Sequence, residues 1–274
     1  LDYQFLYTAS EEDVTLEPVI EHYHILDHTI NLCKKHGVYV ILDMHAAPGG
    51  QTGTNIDNSE NNQPELFQKE LYQEQLCFIW KDIASRYNDE PIIAAYDLLN
   101  EPLPEWFSKH NHQLMPLYKK VIAAIREVDQ NHMITLEGLH WSTDLTCFTE
   151  RLDENILIHF HKYWSNPDQE GIQSYLDIRD KLDVPLFMGE GGENHLDWYY
   201  AAFKMYEQFD ISINFWTYKK MENKNSIISF KKPSRWDAFL KGELNQKESR
   251  QALDQLLENI TFKHTSVNQS VINH

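Results

Sequence analysis

Two acidic residues in this chain stand where chemistry could use them. Glu101, in Asn100-Glu101-Pro102, and Glu190, in Gly189-Glu190-Gly191, each close a short apolar run that reads as a strand. Two carboxyl groups can cleave a glycosidic bond without a cofactor. One, held protonated, releases the departing oxygen, and the other attacks the anomeric carbon or activates water. The remaining strand ends carry Asp43-Met44-His45, Glu137-Gly138, His161-Lys162-Tyr163 and Trp216. A carboxylate, imidazole, phenol or indole closes every run, which core strands have no reason to do six times over. His159 shares a strand face with His161, as a metal pair would. The sequence brings no third ligand beside them, so both are read as hydrogen-bonded histidines and no metal is assigned.

Elements of alternating type must position these ends. Helix-period segments begin at Pro18 and at about Leu66, Leu114, Ile172, Asp197 and Glu248. Between them lie the apolar runs Val38–Met44, Ile92–Leu99, Met133–Leu136, Ile156–Phe160, Leu186–Met188 and Ile211–Trp216. Strands apolar on both faces, each followed by a crossover helix, predict a parallel sheet covered by helices. An open doubly wound sheet announces itself with a glycine-rich phosphate turn, and neither that turn nor a Walker loop is present. A closed (β/α)8 barrel instead puts polar residues at strand after strand on its C-terminal face, as here. With no linker or repeat, residues 1–274 read as one domain, ending in a polar tail at 263–274 that is expected to fray.

The composition narrows the partners. With 24 Lys+Arg against 42 Asp+Glu the formal charge is −18 and the pI about 5.1, unsuited to nucleic acid or an anionic membrane surface. No apolar run approaches the roughly 18 residues of a membrane span. Cys33, Cys77 and Cys147 have no metal-ligand spacing and read as small buried hydrophobes. The sequons at Asn259 and Asn268 read as accidental, and the sequence assigns neither a compartment nor an oligomeric state.

Leu98-Leu99-Asn100-Glu101-Pro102 resembles the acid/base motif of glycoside hydrolase family 5, the cellulase-type retaining β-glycanases of the (β/α)8 clan. Phe187-Met188-Gly189-Glu190-Gly191 is similar to its nucleophile strand, and His161-Lys162-Tyr163 to its His-x-Tyr. The resemblance implies Glu101 as acid/base and Glu190 as nucleophile, with their carboxyl groups roughly 5–5.5 Å apart. It implies Asn100 at the sugar 2-hydroxyl, His161 beside the acid/base, Tyr163 on the nucleophile, His45 against the sugar and Trp216 as its stacking floor. The loop from Ala46 to Gly53, with Asp57-Asn58-Ser59 after it, is similar to the strand-three loop of β-glucan-cleaving members. Glu137, Trp141 and Trp164 are further candidates for the sugar-binding surface, each with a plain structural alternative. No cofactor is implied.

Two features pull against a complete enzyme. Only six strands are evident, so a (β/α)8 barrel lacking strand one, helix one and most of strand two is expected, along with the family's strand-two arginine. A non-catalytic carbohydrate-binding relative therefore stays open as an alternative. A sugar isomerase or aldolase on the same fold would want a metal cluster or an activated lysine, and Lys162, Lys219 and Lys220 show no activating partner in the sequence.

Overall fold

A computed structural model describes residues 1–273 in two compact units, Leu1–His161 with Ile172–Phe187, and Lys162–Gly171 with residues 188–273. His274, the last residue of the expected tail, lies outside the described residues.

The first unit alternates as its periodicity predicts. It runs α1 (Tyr3–Leu6), α2 (Ile20–His36), β1 (Val40–Asp43), α3 (Glu70–Tyr87), β2 (Ile93–Asp97), α4 (Leu114–Arg126), β3 (Met133–Glu137), the short turn α5 (Leu139–Ser142), β4 (Ile156–His161) and α6 (Gln173–Leu182). The first two residues of β5 (Leu186–Gly192) complete it. Helix α2 buries Tyr23 and Ile30 of its apolar stripe and stops at Gly37, whose left-handed φ of 65° lets its N–H cap Cys33 and Lys34 carbonyls. β1 through β4 pair in parallel and in chain order. The register sets Asp43 opposite Asp97, Asp97 opposite Thr135, and Glu137 opposite His159. These five positions therefore lie at neighbouring strand ends. At the chain start, the N–H groups of His45 and Ala46 donate to the Leu1 carbonyl at 2.7 and 3.1 Å, beside the end of β1.

The core between sheet and helices is large-chained: Ile79, Trp80, Ile83, Tyr96, Leu136 and Ile158 are fully buried. Its polar edges face the strand ends. Trp80 Nε1–H donates to the Leu98 carbonyl at 3.0 Å, Tyr118 O–H to the Glu137 carbonyl at 2.8 Å, and Ser142 O–H to the His159 carbonyl at 2.9 Å. Helix and turn side chains thus fix the backbone just where the site residues project.

The second unit holds the rest of β5, α7 (Leu196–Gln208), β6 (Ser212–Trp216), β7 (Lys219–Met221), β8 (Ile228–Phe230), α8 (Trp236–Leu240), α9 (Gln246–Asn259), β9 (Thr265–Val267) and α10 (Gln269–Ile272). Helix α9 opens with a capping box between Asn245 and Glu248. The sequence expectation of a frayed tail needs correction. β9 pairs antiparallel with β8, and Asn268 Nδ2–H bonds at 3.0 and 2.6 Å to the carbonyls of Asn223 and Ser226 hold it there. Three-residue strands carrying lysine and serine have too little apolar alternation to read from sequence. Among the described residues no helix is long and apolar enough to cross a membrane.

Candidate functional site

Glu101 sits on a strained turn in the first unit. Its φ is +46°, a left-handed conformation that costs an L-residue energy and that clusters at functional positions. The turn is held by Glu137, whose Oε2 accepts the Glu101 N–H at 2.7 Å. The Glu101 carboxyl is held separately: its Oε1 lies 2.7 Å from Nδ1 of His161. The other ring nitrogen of His161 is 3.0 Å from Nε2 of His159, and Nδ1 of His159 is 2.5 Å from Asp97 Oδ2. Glu137 Oε1 lies 3.4 Å from both His159 Nδ1 and His161 Nε2 and has no hydrogen-bond partner among the described residues.

The sequence places no third group beside the two histidines, and the β3–β4 register supplies one. Glu137, His159 and His161 could together hold a cation, as could Asp43, Asp97 and Glu137. Burial pushes the Glu137 carboxyl above its usual range against the pull of His161 and His159. Burial draws the His159 imidazole down, but Asp97 and Glu137 outweigh it and leave the ring more basic than usual.

Beside this cluster Asn100 is buried and its Nδ2 has no partner among the described residues, leaving a donor for a ligand. Its carbonyl and that of His45 both accept from the wholly buried amide of Gln51, at 2.9 and 2.8 Å. Gln51 ties two candidate residues together; the sequence marks the loop it lies in but not this residue. The loop around it is fixed by Asp57, which accepts the N–H groups of Gln51, Thr52 and Ser59 at 2.7, 2.6 and 2.9 Å. Gly50 has no substitute there, because a Cβ would stand 2.0 Å from Ser59 Oγ. His45 is partly exposed, with Nδ1 2.9 Å from Asp43 Oδ2. Trp141 meets the exposed Trp106 edge to face at 5.8 Å, a pair of indoles of which the sequence points only to the first.

The second unit holds Glu190 in a different setting. Tyr163 O–H donates to Glu190 Oε2 at 2.5 Å, and the Glu190 carbonyl accepts the Lys162 N–H at 3.0 Å. Asn194 Nδ2–H fixes the Tyr163 carbonyl at 2.9 Å, and Asn214 Nδ2–H the Gly189 carbonyl at 3.1 Å. The glycine after Glu190 is forced by packing, since a Cβ on Gly191 would strike Met188 and the Lys162 carbonyl. Trp216 is 39% exposed and Trp164 77%, so both indoles are accessible. Trp164 also lies 5.5 Å from the Tyr163 ring. Burial lowers the Lys162 ammonium pKa, with Asp168 pulling the other way.

Parallel strands in chain order with helices between them and polar residues at the strand ends define the class of (β/α)8-barrel proteins. Likeness to known proteins sharpens that class to a family. Residues 7–224 match the cellulase family, glycosyl hydrolase family 5, and the chain belongs to it. A β-xylosidase of Phanerodontia chrysosporium is 32% identical over 164 residues, covering 58% of this chain and 33% of the relative. Endoglucanase C of Acetivibrio thermocellus is 24% identical over 259 residues, covering 72% of this chain and 73% of the relative. The chain thus spans a third of the first relative's length and about three quarters of the second's. The fold matches that of Thermotoga maritima Cel5A, solved in complex with cellobiose, with a TM-score of 0.63 and 19% identity over 79% of this chain and 76% of that one.

Proposed function

We propose that this chain hydrolyses β-glycosidic bonds of a glucan-like oligo- or polysaccharide with retention, using Glu101 as acid/base and Glu190 as nucleophile. The observation that carries the reading is the unlike treatment of the two carboxyl groups. A phenol O–H 2.5 Å from Glu190 Oε2 stabilises the ionised form, which a nucleophile needs. Glu101 instead meets an imidazole nitrogen, a partner that can take or return a proton. Environments that set two carboxyl groups apart in this way assign the acid and the nucleophile.

In the first step Glu190 attacks the anomeric carbon while Glu101 gives its proton to the leaving oxygen. In the second, carboxylate Glu101 takes a proton from water as that water breaks the glycosyl–enzyme bond. Asn100, with an unspent amide donor, is suited to the sugar 2-hydroxyl, and Trp216 and Trp164 offer indole faces to pyranose C–H groups. The names of the relatives, a β-xylosidase and an endoglucanase, fit such a substrate, and cellobiose is the sugar of the Cel5A complex.

Defined oligosaccharides with product anomers followed by NMR test the reading. The expected result is release of reducing ends with retained configuration. Replacing Glu190→Ala should abolish turnover, and azide should restore it as a glycosyl azide of inverted configuration. Inverted products from the unaltered chain sink the nucleophile assignment. Oligosaccharide binding with no new reducing ends would instead support a carbohydrate-binding relative.

A further inference from the structure

Three contacts link Glu101 to Asp97 through the first unit. They join Glu101 Oε1 to His161 Nδ1 at 2.7 Å, His161 Nε2 to His159 Nε2 at 3.0 Å, and His159 Nδ1 to Asp97 Oδ2 at 2.5 Å. A contact of this length between such atoms needs a proton, because two bare imidazole nitrogens at 3.0 Å would set lone pair against lone pair. Three contacts therefore hold three protons. Two neutral imidazoles supply two of them, and the third must come from beyond the rings' ordinary complement.

In one arrangement the Glu101 carboxyl donates to His161 Nδ1, His161 Nε2–H donates to His159 Nε2, and His159 Nδ1–H donates to Asp97. In a second, the Glu101 proton has crossed to His161 Nδ1, leaving a carboxylate and an imidazolium, and in a third the inter-ring proton has moved on to His159, which then carries the charge. They differ only in protons moved across these contacts and carry the same net charge of about −1 over the four groups. We propose that Asp97, His159 and His161 form a proton relay that keeps Glu101 loaded for the first step and drives it to reclaim a proton in the second.

The drive follows from the count. Once Glu101 has protonated the leaving group, two protons remain for three contacts, and one contact must be bare. Taking a proton from water restores the full set, so the relay makes Glu101 a stronger base when a base is required. This rests on the reading of Glu101 as acid/base. The groups packed around the relay are carboxyls: Asp43 from β1 and Glu137 from β3, beside Asp97 itself from β2. From α4, Tyr118 O–H is committed to the Glu137 carbonyl, and from β5 the Phe187 ring lies 5.2 Å from that of His159. Among the described residues no lysine or arginine pairs with Asp97, Glu137 or His159. The cluster therefore draws protons, in keeping with the raised affinities of Glu137 and His159. His159 and Asp97 are positioning residues, acting on the sugar only through Glu101.

Two measurements test the relay. In unaltered protein with 15N-labelled histidine, NMR should show three N- or O-bound protons along the chain, one far downfield, persisting above the pH where an ordinary histidine is neutral. Two rings with one N–H each and no shared proton would overturn it, as would a cation between the rings found by elemental analysis. In kinetics, Asp97→Asn removes the charge that holds the third proton. The basic limb of the kcat/KM profile should move down by about one to three pH units with KM little changed. His159→Gln should do the same, and an unmoved limb in a folded variant overturns the proposal. Glu101→Ala separates the two readings. If it still cleaves unactivated oligosaccharides, the assignment of Glu101 fails, whereas the NMR proton count bears on the relay alone.

Discussion

The first unit contains two buried histidine–aspartate pairs that look alike and differ in what surrounds them. His132 and Asp129, ahead of β3, are 2.6 Å apart, and His159 and Asp97, at the ends of β4 and β2, are 2.5 Å apart. Burial does not separate them, for both histidine side chains are 7% exposed and both aspartates at most 1%. Asp129 is fully occupied: Oδ1 accepts the N–H groups of Asn131 and His132, and Oδ2 the Tyr96 O–H. His132 Nε2 faces the Glu90 carbonyl at 3.1 Å. The pair is closed. At the other pair Asp97 Oδ1 has no hydrogen-bond partner among the described residues, and the second nitrogen of His159 faces another nitrogen. A closed polar cluster stabilises the fold, while one left with spare capacity can exchange protons with a neighbouring carboxyl group.

The sharpest way to test that contrast is through the group the open pair serves. Glu101→Gln should lower kcat on unactivated oligosaccharides by about 10²–10⁴-fold with little loss of stability, read from reducing-end release and thermal melting. Asp129→Ala should invert the pattern. Breaking a buried, fully bonded pair should cost about 3–5 kcal/mol in denaturant unfolding, while kcat of the folded fraction stays within a few-fold.

A pH series separates the pairs more finely. Backbone N–H groups, the Tyr96 hydroxyl and His132 outweigh burial and hold the Asp129 carboxyl below its usual range. The stability it contributes should be fully present above about pH 3.9 and lost as pH falls through its folded value. His159 is shifted the other way. Its contribution should be fully present below about pH 6.5 and lost as pH rises through its higher folded value. Unfolding free energies of Asp129→Asn and His159→Gln against pH should lose the acid and the alkaline dependence respectively. The smallest effect is expected at the exposed indole of Trp106, which packs on Trp141. Trp106→Ala should raise KM by a few-fold, about 0.5–1.5 kcal/mol, and leave the melting temperature in place.

Much of this frame is legible in the amino-acid sequence. The six main strands and the helices between them follow from apolar runs and 3.6-residue periodicity, and the strand-end residues follow from the strands. What is not legible depends on register. Glu137 is a lone acidic residue in the sequence, and only its pairing opposite His159 shows that it meets both histidines. Asp97 sits inside an apolar run and reads as nothing in particular until β4 lies within reach. Gln51 and Trp106 lie in connecting segments, whose paths no periodicity encodes. The small β7–β9 sheet escapes for the same reason, its strands being too short to show a period.

The left-handed turn at Glu101 bears on what selection can do at this position. A backbone at φ +46° is one where glycine would relax the chain, so pressure for stability alone would write glycine there. Glu101→Gly should relax the backbone and keep the N–H that Glu137 holds, while giving up the contact with His161 Nδ1. A carboxyl group at that site marks a place where the chain gives up conformational ease to put a proton donor within reach of a substrate.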